Sequence, residues 1–396
     1  MQEIELTIFD RGDRGALIQP LLDEFERSYK IHVKLELLNW EAGWSKLLEV
    51  ALYGHGPDLS EVGSTWVMDF VRMNAASPLS PAEVVRLGSE HDFFPMNWRS
   101  GIVPAKDGEA QVTWAIPWTS DLRLAYYRQD LFEKAGLDPI HVLEHVHELP
   151  RAIEALKAKG YKLPLALSTQ RSRINLHLMA SWIWDMGGDF LTPDGNRVAL
   201  DTPAALHGMR HYFELGKYIP EARRKMEDVE ADQLFIAGDA AMIFSGWWIL
   251  PHPQTAPEIR ANTRITAMPG ASFVGGTHML LWKHSRKRDY AFLLAEFMAK
   301  YAAQHKIFPT YSLPAYIPGW DKIQFLNEPQ REAVLNALKN GHSFPIGQLW
   351  GLVEKRLTDA MPIIWERVFE KGPDAVEQTL AETIVPLARR INITLE

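Results

Sequence analysis

Three short stretches set tryptophan beside small hydroxyl or acidic residues: Ser64-Thr65-Trp66, Trp118-Thr119-Ser120-Asp121 and Ser245-Gly246-Trp247-Trp248. An indole offers a broad apolar face and one N–H. Carboxylate, guanidinium and hydroxyl groups offer strong, directional hydrogen bonds. A solute with an apolar C–H face and a rim of hydroxyls, such as a sugar ring, needs both kinds of group together. Each stretch follows a segment of strand character, and ligands of open α/β sheets gather at the carboxyl ends of strands. The chain holds 14 Trp beside 11 Tyr and 17 Phe, enough for half-exposed ring platforms, although core packing is the default for any single one.

Other chemistries find less support. There is no GxSxG elbow, P-loop or HExxH motif, and Gly275-Gly276-Thr277 lacks the GxGxxG spacing of a dinucleotide site. His141 and His145 would share a face if helical, with His147, Glu144 and Glu148 beside them. That stretch follows the turn Gly136-Leu137-Asp138-Pro139, so a solvated helix entry is expected and no metal site. Asp185 with Asp189, or Asp10 with Asp13, could serve as the carboxylate pair of a glycosidase. Aspartates after strands commonly cap turns, and capping is the expectation for each. Neither a cofactor nor a catalytic residue is expected.

The elements that would carry these residues read clearly. Ile4, Leu6 and Ile8 alternate with polar positions, Ile18, Leu21, Leu22, Phe25 and Tyr29 form a helical stripe, and Ile31, Val33, Leu35 and Leu37 alternate again. This βαβ opening predicts a parallel sheet and an α/β fold. A helix from Trp44 to Tyr53 stops at Gly54, and a strand runs over Leu59–Val62. Leu149, Ile153 and Leu156 stripe a helix that ends at Gly160. Thr202-Pro203 opens another, and Ala240–Phe244 reads as a buried strand. A helix is expected from Asp289 to Ala303, and a helical tail from Leu349 to Ile393 broken at Pro362, Gly372-Pro373 and Pro386.

Length and composition bound the rest. The 396 residues argue for two domains, and without a linker tract the chain is expected to cross between them more than once. The net charge of −8 gives no electrostatic footprint for nucleic acid. The absence of cysteine excludes disulfides and thiol nucleophiles. Mean hydropathy is −0.18, and no apolar run approaches a membrane-spanning length. The N-terminus lacks a basic region followed by an apolar one, so an export signal is not expected within this chain.

In order and spacing, several segments resemble the extracellular solute-binding proteins of carbohydrate ABC importers, the group that includes maltodextrin-binding protein. Trp114–Asp121 and Ala125–Phe132 resemble the family's pre-hinge strand and the tyrosine-rich strand after it. Gly136-Leu137-Asp138-Pro139 resembles its GLDP turn, and Asp194–Val198 with Thr202-Pro203-Ala204 its segment before a long helix. Phe235–Trp248 is similar to its F..G.AAM...GPW signature, with Trp247 in place of the usual proline. Gly275-Gly276, Leu280-Leu281-Trp282 and the helix from Asp289 resemble its return strand and helix. His145-Val146-His147-Glu148-Leu149 departs from the family's TWdEL helix entry.

The resemblance implies a two-lobed α/β fold of the type II periplasmic-binding class, with the ligand in a cleft between lobes joined by about three crossings. These are expected near Asp121, residue 270 and Tyr311–Pro318, giving lobes of 1–120 plus 270–315 and 121–269 plus 316–396. It also implies a non-enzymatic receptor, periplasmic or lipid-anchored, that hands a sugar to membrane permease subunits, with a monomer as the default. Carried over by position, the ligand contacts are Asp10, Arg11, Ser64, Thr65, Trp66, Asp121, Trp247 or Trp248, Gly276 and Trp350. Trp40, Trp44, Trp182 and His278 are further candidates that read equally well as core. Two alternatives stand beside this reading. One is a glycoside hydrolase or lyase using the same residues. The other is the same fold binding an acidic sugar, a polyamine or a phosphodiester, with Arg99, Arg123, Arg171 and Arg173 available to an anion.

Overall fold

The alternation Ile4-Leu6-Ile8 becomes the first strand of a computed structural model that describes residues 2–10, 14–88, 90–104, 111–249, 251–301, 312–318, 320, 326–344 and 350–395. The chain opens with β1 (Gln2–Phe9), α1 (Arg14–Tyr29), β2 (Ile31–Leu38), α2 (Trp40–Tyr53) and β3 (Leu59–Gly63). There follow α3 (Val67–Arg72), α4 (Pro81–Leu87), α5 (Pro95–Ser100), β4 (Ile102–Pro104), β5 (Gln111–Thr113) and the long β6 (Ala115–Arg128). Next come α6 (Gln129–Ala135), α7 (Pro139–Val142), α8 (Leu149–Ala158), β7 (Leu165–Ala166), α9 (Arg173–Asp185) and α10 (Pro203–Glu214). The chain continues through α11 (Asp228–Ile236), β8 (Met242–Gly246), α12 (Pro257–Asn262), β9 (Thr263–Ala267) and β10 (Val274–Leu281). It ends with α13 (Arg288–Tyr301), β11 (Leu313–Pro314), α14 (Glu328–Asn340), α15 (Trp350–Lys371) and α16 (Val376–Leu395).

The chain divides into two units, Met1–Asp121 with Val274–Phe325, and Leu122–Phe273 with Leu326–Glu396. β6 runs from the first into the second. In the first unit β1 pairs in parallel with β2 (Leu6↔Leu35) and β3 (Leu6↔Leu59), and β10 returns antiparallel to β3 (Leu280↔Ser60). Ile4, Leu6 and Ile8 are fully buried with Ile18, Leu21, Leu22 and Phe25 of α1 and with Ala291, Leu294, Ala295 and Met298 of α13. The amphipathic stripes thus meet the sheet they were spaced for, and apolar burial drives the packing.

In the second unit the later half of β6 pairs antiparallel with β8 (Arg123↔Gly246) and with β9 (Leu124↔Ala267), while β7 lies parallel to β8. The core gathers Leu149, Ile153 and Leu156 of α8, Trp182 and Ile183 of α9, Met209, Tyr212 and Phe213 of α10, and the inward faces of α15 and α16. Two expected breaks are absent: α15 continues through Pro362 and α16 through Pro386. A proline within a helix removes one backbone donor. Here burial of Met361, Ile364 and Trp365, and of Ile384, Leu387 and Ala388, holds both helices across it. Gly372-Pro373 does break the tail, with Gly372 at φ 87°.

Candidate functional site

In the second unit, β8 delivers Ser245 and Gly246 to a short helical turn at Trp247–Ile249. A Cβ at position 246 would lie 1.9 Å from Trp248 Cζ3, so any side chain there would displace the Trp248 ring. The Trp248 ring folds back over this gap. Its indole N–H donates to Asp232 Oδ2 at 2.7 Å, and Ser245 Oγ donates to Asp232 Oδ1 at 2.7 Å. Burial pushes the Asp232 carboxyl up to about 6, although both hydrogen bonds oppose the shift. Tyr126 on β6 donates to the Gly246 carbonyl at 2.8 Å and fixes the end of the strand.

Arg123 stands opposite Gly246 in the β6–β8 register. Its guanidinium carbon lies 5.2 Å from the Trp248 ring centroid and 5.7 Å from that of Phe273, both cation–π distances. Arg123 Nη2 is 2.8 Å from His177 Nδ1. A guanidinium can only donate, so Nδ1 accepts and the proton of a neutral His177 sits on Nε2. The His177 ring stacks on Phe273 at 3.9 Å and 13°, and its Nε2 lies 4.0 Å from the buried carboxylate of Glu354. Burial raises the Glu354 pKa while Arg173 acts to lower it. The result is a half-buried indole, pinned at its edge and backed by a cation, beside a layered Arg–His–Glu network.

In the first unit, β1, β2 and β3 end together and their carboxyl ends carry an aromatic cluster. Phe9 stacks on Trp40 at 3.9 Å and 16°, Trp66 meets Phe9 edge-on at 5.7 Å, and Trp44 packs against Trp66 at 5.3 Å. Gly43 permits the stack, since a Cβ there would lie 2.2 Å from the Phe9 ring. Beneath the cluster Arg14 reaches Glu61 through two hydrogen bonds, 2.9 and 3.0 Å, and also donates to the Phe9 carbonyl at 2.9 Å. The Phe9 N–H donates to the same Glu61 at 2.8 Å. A buried, bidentate ion pair therefore fixes the backbone immediately before Asp10.

Comparison with known proteins decides the family. The family model for bacterial extracellular solute-binding proteins matches residues 10–305. The chain belongs to this family. A candidate binding protein of Brucella abortus (strain 2308) is 23% identical over 94% of this chain and 90% of its own length. Among solved structures, MalE of Xanthomonas citri is 21% identical, with a TM-score of 0.81 over 100% of this chain and 97% of that one. T. maritima MalE3 is 20% identical, with a TM-score of 0.77 over 98% and 100%. These structures share the two-lobed α/β fold that the resemblance implied.

Within this solute-binding protein the anticipated residues fall into separate groups. Trp248, Asp10, Trp40, Trp44, Thr65 and Asp121 are half-buried. Ser64, Trp66 and Trp247 are buried. Arg11 and Asp13 lie outside the described residues.

Four expectations change. Trp182 is fully buried, edge-on to Tyr212 at 5.2 Å and Phe244 at 5.4 Å, so its faces are taken by the core. Trp350 is 1% exposed and packs on Phe344 at 4.5 Å. His278 is fully buried, with Nε2 2.8 Å from the Asn97 carbonyl, and burial lowers its pKa to about 4. Gly276 does serve a close approach, but to Thr119: at φ 143° its Cβ would lie 1.9 Å from that carbonyl oxygen.

Of the carboxylates suggested for a glycosidase, Asp185 and Asp189 are engaged structurally. Asp185 accepts from the Val146 N–H at 2.9 Å and lies 2.9 Å from His145 Nδ1. Asp189 accepts from the Phe190 N–H at 2.8 Å and from the Trp184 indole at 3.2 Å. α7 ends at Val142, so His141 and His145 do not share a helix.

Asp232, His177, Phe273 and Glu354 were not anticipated. Asp232 is brought to Trp248, His177 and Phe273 to Arg123, and Glu354 to His177, each from a different part of the chain, and no local spacing announces such a meeting.

Proposed function

We propose that this solute-binding protein captures a sugar or oligosaccharide and delivers it to the membrane subunits of an ABC importer without altering it. The observation that carries the reading is Trp248, half-buried, with its indole N–H fixed to Asp232 and Arg123 behind it. A ring that cannot swing away stacks on a sugar face at little entropic cost. Asp232 and Arg123 hold it from the edge and one side, which leaves Trp248, and not the buried Trp247, as the platform. Asp10 and Thr65, at the strand ends of the first unit, are half-buried polar groups of the kind that bind hydroxyls. Two structural relatives support the ligand class: the Xanthomonas citri protein is described as sugar-binding, and the T. maritima protein was solved with maltose. The reading places the protein outside the cytoplasm, as a monomer, with permease subunits as partners. Among the described residues no helix is long and apolar enough to cross a membrane.

Replacing Trp248 tests the assignment. Burying an aromatic face contributes about 2 kcal/mol, so Trp248→Ala should weaken sugar binding roughly 30-fold with an unchanged circular-dichroism spectrum. Equal calorimetric affinities for variant and parent would remove Trp248 from the site.

A further inference from the structure

His207 and His211 occupy one face of α10, four residues apart, near the middle of a twelve-residue helix. Their Nε2 atoms lie 3.1 Å apart and their ring centroids 4.7 Å apart. Nothing in the sugar-binding reading uses them. His207 is exposed and His211 half-buried, so both edges can be reached from solvent. The face of α10 that packs on α9 is fixed elsewhere, at Gly208, where a Cβ would lie 2.4 Å from the Trp182 carbonyl oxygen.

We propose that His207 and His211 form a two-imidazole surface site for a divalent transition cation of the Cu2+, Ni2+ and Zn2+ class. Metal–imidazole bonds are about 2.0–2.1 Å long, so two nitrogens 3.1 Å apart meet a common ion at an angle of roughly 100°. That angle lies between square-planar and tetrahedral coordination, the geometries these ions adopt. In the metal-free pair one Nε2–H donates to the other Nε2. On binding, each ring presents a bare Nε2 and carries its proton on Nδ1. Glu214 Oε2 is 3.9 Å from His211 Nδ1, and Arg210 holds Glu214 at 2.7 Å. A carboxylate on the far side of a metal-bound imidazole raises the basicity of the ring, and Glu214 occupies that side of His211.

Among the described residues no group of three or more His, Cys, Asp or Glu is placed to hold a metal ion, so water completes this coordination. A pair of nitrogens does not suit Ca2+ or Mg2+, which take oxygen ligands.

The test is calorimetric titration of the untagged full chain with CuCl2 or NiCl2, and with CaCl2 as a control. Parent protein should bind one equivalent of Cu2+ or Ni2+ and no Ca2+. His207→Ala and His211→Ala should each weaken that binding at least tenfold. His32→Ala, whose ring pairs with Glu26 in the other unit, should bind as the parent does. Circular dichroism checks that the variants are folded; His207 is exposed, and its removal leaves the core intact. No binding by the parent, equal binding by His207→Ala, or loss on His147→Ala but not on His207→Ala would each overturn the proposal.

Discussion

Trp248 is held by chemistry that titrates. Asp232 accepts from both the indole N–H and the Ser245 hydroxyl, yet burial lifts its pKa from 3.8 to about 6. A raised carboxyl pKa means that the folded state binds the proton more tightly than the unfolded state. Stability is therefore highest below about pH 4, falls as pH rises towards 6, and stays lower above it. The shift corresponds to about 3 kcal/mol at most. Asp232→Asn keeps one acceptor for the indole and removes the buried charge. It should be as stable as the parent or more so at pH 7.5, with a flatter slope between pH 4 and 6, as urea unfolding across that range would read. An unchanged slope would place the titration elsewhere. At this scale the sequence was only partly legible. The tryptophan doublet was visible in Ser245–Trp248, but which ring faces out depends on Gly246 and on Asp232, thirteen residues before Ser245 on another element. Trp182 and Trp350 looked like Trp248 in composition, but the fold buries both among aromatic neighbours, whereas Trp248 stays half-buried with its N–H on Asp232.

Elements set the site by being held at their ends. Arg14, Glu61 and Phe9 tie the start of α1 to β3 and to the last residue of β1, the position before Asp10. Removing one member of such a buried pair leaves an uncompensated charge. Glu61→Ala should cost about 3–5 kcal/mol in chemical unfolding, with loss of less than 1 kcal/mol arguing against the pair as the anchor of this loop. Gly276 plays a comparable part between β10 and β6. Gly276→Ala meets both an unfavourable φ and the Thr119 carbonyl, and should lose at least about 2 kcal/mol; a variant as stable as the parent would contradict the tight approach. Most elements were readable because their punctuation is local: the β1–α1–β2 periodicities, Thr202-Pro203 capping α10, and Gly372-Pro373 ending α15. Pro362 and Pro386 misled because a local rule was overridden by burial on both sides of each proline. His145 opens the turn before α8 with half of its side chain exposed, the solvated helix entry expected, while its partner Asp185, 40 residues distant, was not legible.

For the whole molecule, family membership rests on a match across residues 10–305, and the carbohydrate reading adds to it the chemistry of particular side chains. Two of the carboxylates open to the enzymatic alternative are held in structural bonds, Asp185 to His145 and Val146 and Asp189 to Phe190 and Trp184. A receptor gains stability from its ligand by mass action, whereas an enzyme would also consume it. The most direct measurement is the melting midpoint of the protein against a panel of mono-, di- and oligosaccharides, uronic acids and polyamines, with the ligand recovered afterwards. The account predicts that a neutral sugar raises the midpoint, by about 2.7 kcal/mol of added stability at 100 times its Kd, and is recovered intact. A shift with polyamines or uronic acids alone, or recovery of a cleaved sugar, would contradict it.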